Sequence, residues 1–207
     1  MLQVHHLANS RSQRILWLLE ELGVPYEIVR YARDPRTNLA PPELKRVHPL
    51  GKSPVITDGD LTIAESGAIV TYLLDAHGQG RMRPAAGTRE ARAHEEWLHY
   101  AEGSAMVPLL LQLYVGRLGE AGAPLHPRIH GEIDNHLSYV SGALGERDFL
   151  VGDALTGADV QMMFVMDVAR AFGKLGAYPN LARYLDRLTA RPAFQRAIEK
   201  GGPYKMG

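Results

Sequence analysis

Apolar residues recur along this chain in two rhythms, and the point where one gives way to the other divides it. Residues 2–5 carry a short strand pattern that ends in a polar break at Asn9 and Ser10. Ile15, Leu16, Leu18, Leu19 and Leu22 then recur at helical spacing, and Gly23 supplies a C-terminal stop. Residues 26–29 read as a second strand set off by Pro25, so the opening predicts a βαβ unit with a parallel strand pair. Pro41, Pro42 and Pro49 make the next stretch irregular, with at most a helical turn over residues 43–47. Two apolar runs, 55–57 and 61–63, flank Asp58-Gly59-Asp60 and predict a hairpin. Ser66 precedes a helical run through Ile69, Val70, Tyr72, Leu73 and Leu74. The order is βαβ followed by ββα.

Between residues 78 and 87 periodicity is lost in GQGRMRPAAG, which reads as a linker between a first domain of residues 1–77 and a second of 88–207. Beyond it the chain shows helical spacing only, over residues 89–117, 127–144 and 157–172 and through two shorter segments to 199. The second domain is therefore predicted to be all-helical. Thr156 with Asp159 three residues on predicts a capping box, with Leu155 and Val160 placed as a hydrophobic staple. Asp159 is read as a folding signal, a catalytic role being the alternative. Residues 161–165 are apolar nearly all round, as expected of a helix at the centre of its domain.

Composition narrows the chemistry. The 207 residues suffice for one or two domains, and 45% hydrophobic with 22% charged residues is the make-up of a folded globular chain. Lys plus Arg number 23 and Asp plus Glu 23, so no basic field exists to hold a nucleic acid. With no cysteine, dithiol redox centres, cysteine nucleophiles and zinc ribbons are excluded, and any thiol chemistry must use a thiol from elsewhere. The opening MLQVHHL lacks a leader pattern and no apolar run reaches membrane-spanning length, from which a cytoplasmic protein without membrane association is expected. Among nine histidines, His126 and His130 stand four apart with no accompanying carboxylate, so no metal is expected. His5 and His6 fall on opposite faces of one strand and cannot share a site. Gly51-Lys52-Ser53 mimics the end of a phosphate loop, but Arg46 occupies the position where that loop requires glycine.

The richest stretch is HPLGKSPVITDGDLTIAESGAIVTYL, residues 48–73. Together with NSRSQRILWLLEELGVPYE at 9–27 and FLVGDALTGADV at 149–160, it resembles the glutathione S-transferase family in order and spacing over essentially the whole chain. The first half is most similar to the serine-type bacterial and fungal branch, with its HPLG-[KR]-SP motif and a Ser-Arg pair before the first helix. The resemblance implies a thioredoxin-like α/β domain followed by an all-α domain. It also implies glutathione as co-substrate, no metal, a hydrophobic electrophile and a homodimer.

Glutathione carries two carboxylates, one ammonium and one thiol, and the residues can be matched to those needs. Glu65 and Ser66 stand at a strand–helix junction, where backbone N–H groups and the Ser66 hydroxyl suit the γ-glutamyl carboxylate and Glu65 its ammonium. Simple helix capping by Ser66 is the alternative. Ser53-Pro54 matches the family's cis pair, which implies backbone pairing with the cysteinyl part of the tripeptide; a strand-opening trans proline is the alternative. Lys52 is placed for the glycyl carboxylate, or is a solvated lysine.

A thiol becomes an efficient nucleophile when a donor and a helix N-terminus face its sulfur. Ser10 matches the family's activating serine, with Asn9 and Ser12 as competing donors and Arg11 as a source of positive potential. For the electrophile, Tyr100, Ser104 and Leu111 share one helix face against a cleft between the domains, the alternative being core or dimer seam. Pro108 is expected to kink that helix. Conjugation of glutathione to an electrophile is the implied activity. Reduction of organic hydroperoxides and a non-catalytic glutathione-binding or chaperone-like module are the alternatives.

Overall fold

The computed structural model describes residues 1–202 and Tyr204; Pro203 and residues 205–207, at the end of the expected second domain, lie outside the described residues. The described residues form two compact units, Met1–Pro84 together with residues 188–202, and Ala85–Arg187.

In the first unit β1 (Gln3–Leu7) leads into helix α1 (Ser12–Leu22) and β2 (Glu27–Tyr31), and β1 and β2 pair in parallel. Gly23 closes α1 in the left-handed region at φ 66°, a conformation that costs a side chain with Cβ but not glycine. The short α2 (Leu44–Val47) follows, then the hairpin of β3 (Val55–Asp58) and β4 (Leu61–Ala64) and helix α3 (Ser66–His77). Strand order is β2-β1-β3-β4, with β3 antiparallel to both neighbours. Each strand runs one or two residues past its predicted end, because ladder partners rather than local propensity set the limit. Helices α1 and α3 bury Ile15, Leu16, Leu18, Leu19, Ile69, Val70 and Leu73 with Val4, Val55 and Ile56 of the sheet. This is the thioredoxin-like arrangement of βαβ and ββα halves.

The last helix, α9 (Pro192–Gly201), also belongs to this unit, whereas periodicity alone leaves it with the helical region. It packs on α1, where Phe194 meets the Trp17 ring edge-on at 5.6 Å. Beside them Arg196 and Lys200 bind Glu20 and Arg191 binds Glu21. Charges spaced along α9 thus find their partners on a helix about 170 residues earlier in the chain.

The second unit holds α4 (Arg89–Tyr100), α5 (Met106–Gly116), α6 (His126–Leu144), α7 (Gly157–Ala171) and α8 (Pro179–Thr189), whose last turn crosses the division. The single helix expected over 89–117 is interrupted by a π-helical turn at Ala101–Ala105, in which Met106 N donates five residues back to Ala101 O. Pro108 stands just after it and has no N–H to offer Ser104, so the break is met by widening the helix. Helix α6 begins at His126, one residue before the predicted start at 127. Helix α7 is buried nearly all round, and its capping box joins Thr156 and Asp159 as predicted.

Candidate functional site

The first unit gathers most of the site residues read from sequence around the start of α1. Ser10 lies in the turn between β1 and α1 and is 9% exposed. Asn9 before it is in the left-handed region at φ 52°. Arg33 fastens this turn, giving hydrogen bonds to the carbonyls of Ala8 at 3.0 Å, Asn9 at 3.0 Å and Asn38 at 2.9 Å. Arg11 is the N-terminal boundary residue of α1 and makes no side-chain capping bond.

Ser10 Oγ accepts from the Ser12 backbone N–H at 3.2 Å and lies 2.8 Å from Ser12 Oγ. It also lies 3.5 Å from Ser53 Oγ, whose own hydroxyl donates to the His5 carbonyl at 2.8 Å. Ser53 thus ties the head of β3 to β1, and its peptide bond to Pro54 is cis. Ser12 is fully buried, with Oγ 2.8 Å from His6 Nδ1 and 3.3 Å from the Leu7 carbonyl. His6 is also buried; removal from water and the Arg30 charge push its basicity down to about 4, so at neutral pH the ring is uncharged. As alternation predicts, His5 faces the other way, its Nδ1 2.9 Å from the Tyr31 hydroxyl.

At the opposite end Glu65, not Ser66, is the boundary residue of α3, held at φ 69° with no side-chain capping bond. Capping by Ser66 is therefore not its role. Ser66 is the first helical residue, 4% exposed, and its Oγ accepts from Arg14 at 3.2 Å. Arg14 is fully buried on α1, one turn beyond Ser10, so one helix carries both the hydroxyl group at its start and the cation at Ser66. Lys52 lines a cavity of about 350 Å³ with Leu39, Pro41, Lys45, Leu50 and Gly51, so two lysines border one hollow. Gly51 allows this at φ 58°: a Cβ there would stand 2.8 Å from the Lys45 side chain.

His6, Arg14, Arg33 and Lys45 escaped the sequence reading. Arg14 alone left a trace, as a cation among the apolar residues of α1; the others required the fold.

In the second unit Tyr100 is committed to its surroundings, its hydroxyl 2.7 Å from His136 Nδ1 and its ring 5.3 Å from both Trp97 and Tyr139. Burial pushes its phenol well above the ordinary range. Ser104 sits half-buried inside the π turn and Leu111 is 46% exposed on α5. That turn adds a residue to the spacing, so regular i, i+4 phase does not carry through from Tyr100 to Leu111. His126 and His130 stack at 5.9 Å, and among the described residues no group of three or more His, Asp or Glu side chains could hold a metal ion. No helix of the described residues is long and apolar enough to cross a membrane.

Comparison with known proteins bears on the family and the fold. The family model described as "Glutathione S-transferase, N-terminal domain" matches residues 2–75, and "Glutathione S-transferase, C-terminal domain" matches 104–192. The chain is similar to "Glutathione S-transferase 3" of Schizosaccharomyces pombe, 35% identical over 97% of this chain and 88% of that one. It is 31% identical to "Glutathione S-transferase 1" of Saccharomyces cerevisiae, over 97% and 95%. Among solved structures, a glutathione S-transferase from Actinobacillus pleuropneumoniae superposes with TM-score 0.89 at 36% identity, covering 97% of this chain and 93% of that one. A glutathione transferase family member from Pseudomonas fluorescens, with two glutathione bound, gives 0.82 at 27%, covering 96% and 92%.

Proposed function

The chain belongs to the glutathione S-transferase family, and from that premise we propose that its first unit binds glutathione and ionises the thiol at Ser10 for attack on hydrophobic electrophiles. The observation that carries this reading is the Ser10 hydroxyl at the head of α1, with one neighbour, Ser53, just before β3 and one, Ser12, on α1. A hydroxyl has one proton to give, and a thiolate at a helix start gains both from that donor and from the N-terminal end of the helix dipole. Ser12 is the weaker candidate because its oxygen is engaged by His6 and the Leu7 backbone beneath the surface. Asn9 is exposed on the turn, and Arg11 adds positive potential.

The rest of the tripeptide is assigned by charge. Ser66, with Arg14 behind it, and the first amides of α3 suit the γ-glutamyl carboxylate, with Glu65 for the ammonium. Main-chain groups at Ser53 and Pro54 suit the cysteinyl peptide, and Lys52 with Lys45 the glycyl carboxylate. Tyr100, Ser104 and Leu111 are assigned to the electrophile. A cytoplasmic homodimer completes the reading, with residues 78–87 as the linker after the first domain.

Calorimetric titration with glutathione and steady-state assay with an aryl halide test it. Ser10→Ala is expected to keep glutathione affinity within a few-fold and to lower kcat/KM by roughly 100-fold, as loss of one donor to a developing anion does elsewhere. Glutathione binding without turnover in the parent would favour the non-catalytic module. No heat of binding at millimolar glutathione would remove the reading altogether.

A further inference from the structure

His6 has no place in the assignment above and Ser12 only that of the weaker donor, yet they form a hydrogen-bonded line that ends on Ser10. The line runs from His6 Nδ1 to Ser12 Oγ at 2.8 Å, from there to Ser10 Oγ at 2.8 Å, and on to Ser53 Oγ at 3.5 Å. Its inner members are closed off from water: His6 is 4% exposed and Ser12 not at all. The outermost contact is the longest, and Ser53 has already given its own proton to the His5 carbonyl. Ser53 can therefore only accept there, weakly, and is easily replaced by a better acceptor.

A neutral imidazole carries one N–H and each hydroxyl one O–H, so with every proton kept on the line it has two orderings, the Leu7 carbonyl at 3.3 Å being the longer alternative for the Ser12 proton. With the proton on His6 Nδ1, His6 donates to Ser12 and Ser12 donates to Ser10. Ser10 Oγ then accepts twice, from the Ser12 hydroxyl and the Ser12 backbone N–H, and its single proton has only the outward direction left. With the proton on Nε2, every donor reverses: Ser12 gives to Nδ1, Ser10 gives to Ser12, and Ser10 presents lone pairs outward. The Gly201 carbonyl at the end of α9 accepts a hydrogen bond from the His6 ring and supports this second ordering.

We infer that His6 and Ser12 are positioning residues whose shared proton order is set by the tautomer of His6, the Nδ1–H form aiming the Ser10 proton at a bound thiolate and the Nε2–H form accepting from a bound thiol. The inference rests on the reading of Ser10 as the group that faces sulfur. The thiol loses its proton to solvent and the line holds three protons in both orderings: the two hydroxyl protons turn round, while the imidazole changes tautomer by exchange with solvent, giving up the proton on Nε2 and taking one at Nδ1. Burial and Arg30 keep the ring neutral across the pH range in which the thiol ionises, which both orderings require. Arg30, on β2, is the charged group that acts on His6.

Nitrogen NMR on histidine-labelled protein tests this directly, because Nδ1–H and Nε2–H rings give different signatures; His6→Asn identifies the resonance. Saturation with glutathione at a pH where the bound thiol is ionised is expected to move His6 toward Nδ1–H. S-methylglutathione, which has no proton to lose, is expected not to. In parallel, ultraviolet titration of the bound thiolate should show its pKa rising by about one unit in Ser12→Ala, a tenfold loss of ionisation at fixed pH. kcat should fall while KM for glutathione stays within about twofold, and Ser12→Thr, which keeps the hydroxyl, should recover most of the loss.

An unchanged His6 tautomer on thiolate formation, or a Ser12→Ala thiol pKa equal to the parent's, overturns the inference while leaving the Ser10 reading intact. A Ser10→Ala variant whose bound thiol titrates like the parent's overturns the Ser10 reading itself.

Discussion

Two buried polar clusters in this molecule look alike in composition and differ in what they leave open. In the second unit Asp159 receives the Leu150 N–H at 2.9 Å, the Thr156 N–H at 2.9 Å, the Thr156 hydroxyl at 3.0 Å and the Tyr184 hydroxyl at 2.8 Å. Every acceptor site of the carboxylate is engaged by the fold, and both Asp159 and Tyr184 are fully buried. In the first unit the line from His6 through Ser12 ends at the Ser10 hydroxyl, whose last contact is a long one to Ser53. Its flanking residue Asn9 is held at positive φ, and so is Glu65 at the start of α3. A saturated cluster holds structure together; one with a donor still to place is equipped to meet a ligand.

The sharpest way to break this comparison is at Asp159. Asp159→Ala leaves four buried donors without an acceptor, and stability should fall by about 3 kcal/mol or more, roughly 10 °C in Tm. The pKa of bound glutathione, measured below the new transition, should not move. If it does, the two clusters are not independent.

Next in size is the effect of acid on the first unit. His6 is neutral and buried with its basicity depressed to about 4, whereas the unfolded chain protonates it near the ordinary value of 6.5. The unfolded state therefore binds the extra proton first, so this stability is present above about pH 6.5 and lost as pH falls toward 4. Up to about 3 kcal/mol is at stake. Burial lowers the basicity of His5 in the same direction, so the measurement is the difference in denaturant midpoint between parent and His6→Asn across that window, the variant having the flatter profile.

The smallest effect is expected from Tyr184→Phe, which removes one hydroxyl donor to a carboxylate and nothing else. About 2 kcal/mol should be lost, less than at Asp159, because three other donors still hold the carboxylate. A loss equal to that of Asp159→Ala would mean that the cluster acts all or none.

Much of the Asp159 cluster was legible in sequence, because a capping box is a local device whose partners stand three residues apart. The Ser10 site was legible in part, through motifs that repeat a family's pattern. Its supporting residues were not: Arg14 meets Ser66 across 52 positions, and His6 looks like any alternating residue of a strand until α1 brings Ser12 against it. The face proposed for the electrophile shows the limit from the other side. Helical spacing put Tyr100, Ser104 and Leu111 in phase, but the π turn between them is a response to Pro108 and to packing that spacing does not encode.

By itself the chain determined its two rhythms, the βαβ and ββα order, the helical remainder, the stops at Gly23 and the cap at Thr156, since each follows from neighbours within a turn or a hairpin. Tertiary structure alone decided that α9 returns to α1, that Ser66 is served by Arg14 rather than used as a cap, and that Ser12 stands between His6 and Ser10. Those outcomes depend on groups far apart in sequence meeting out of water, where a donor without an acceptor is expensive and only the folded chain selects the pairs.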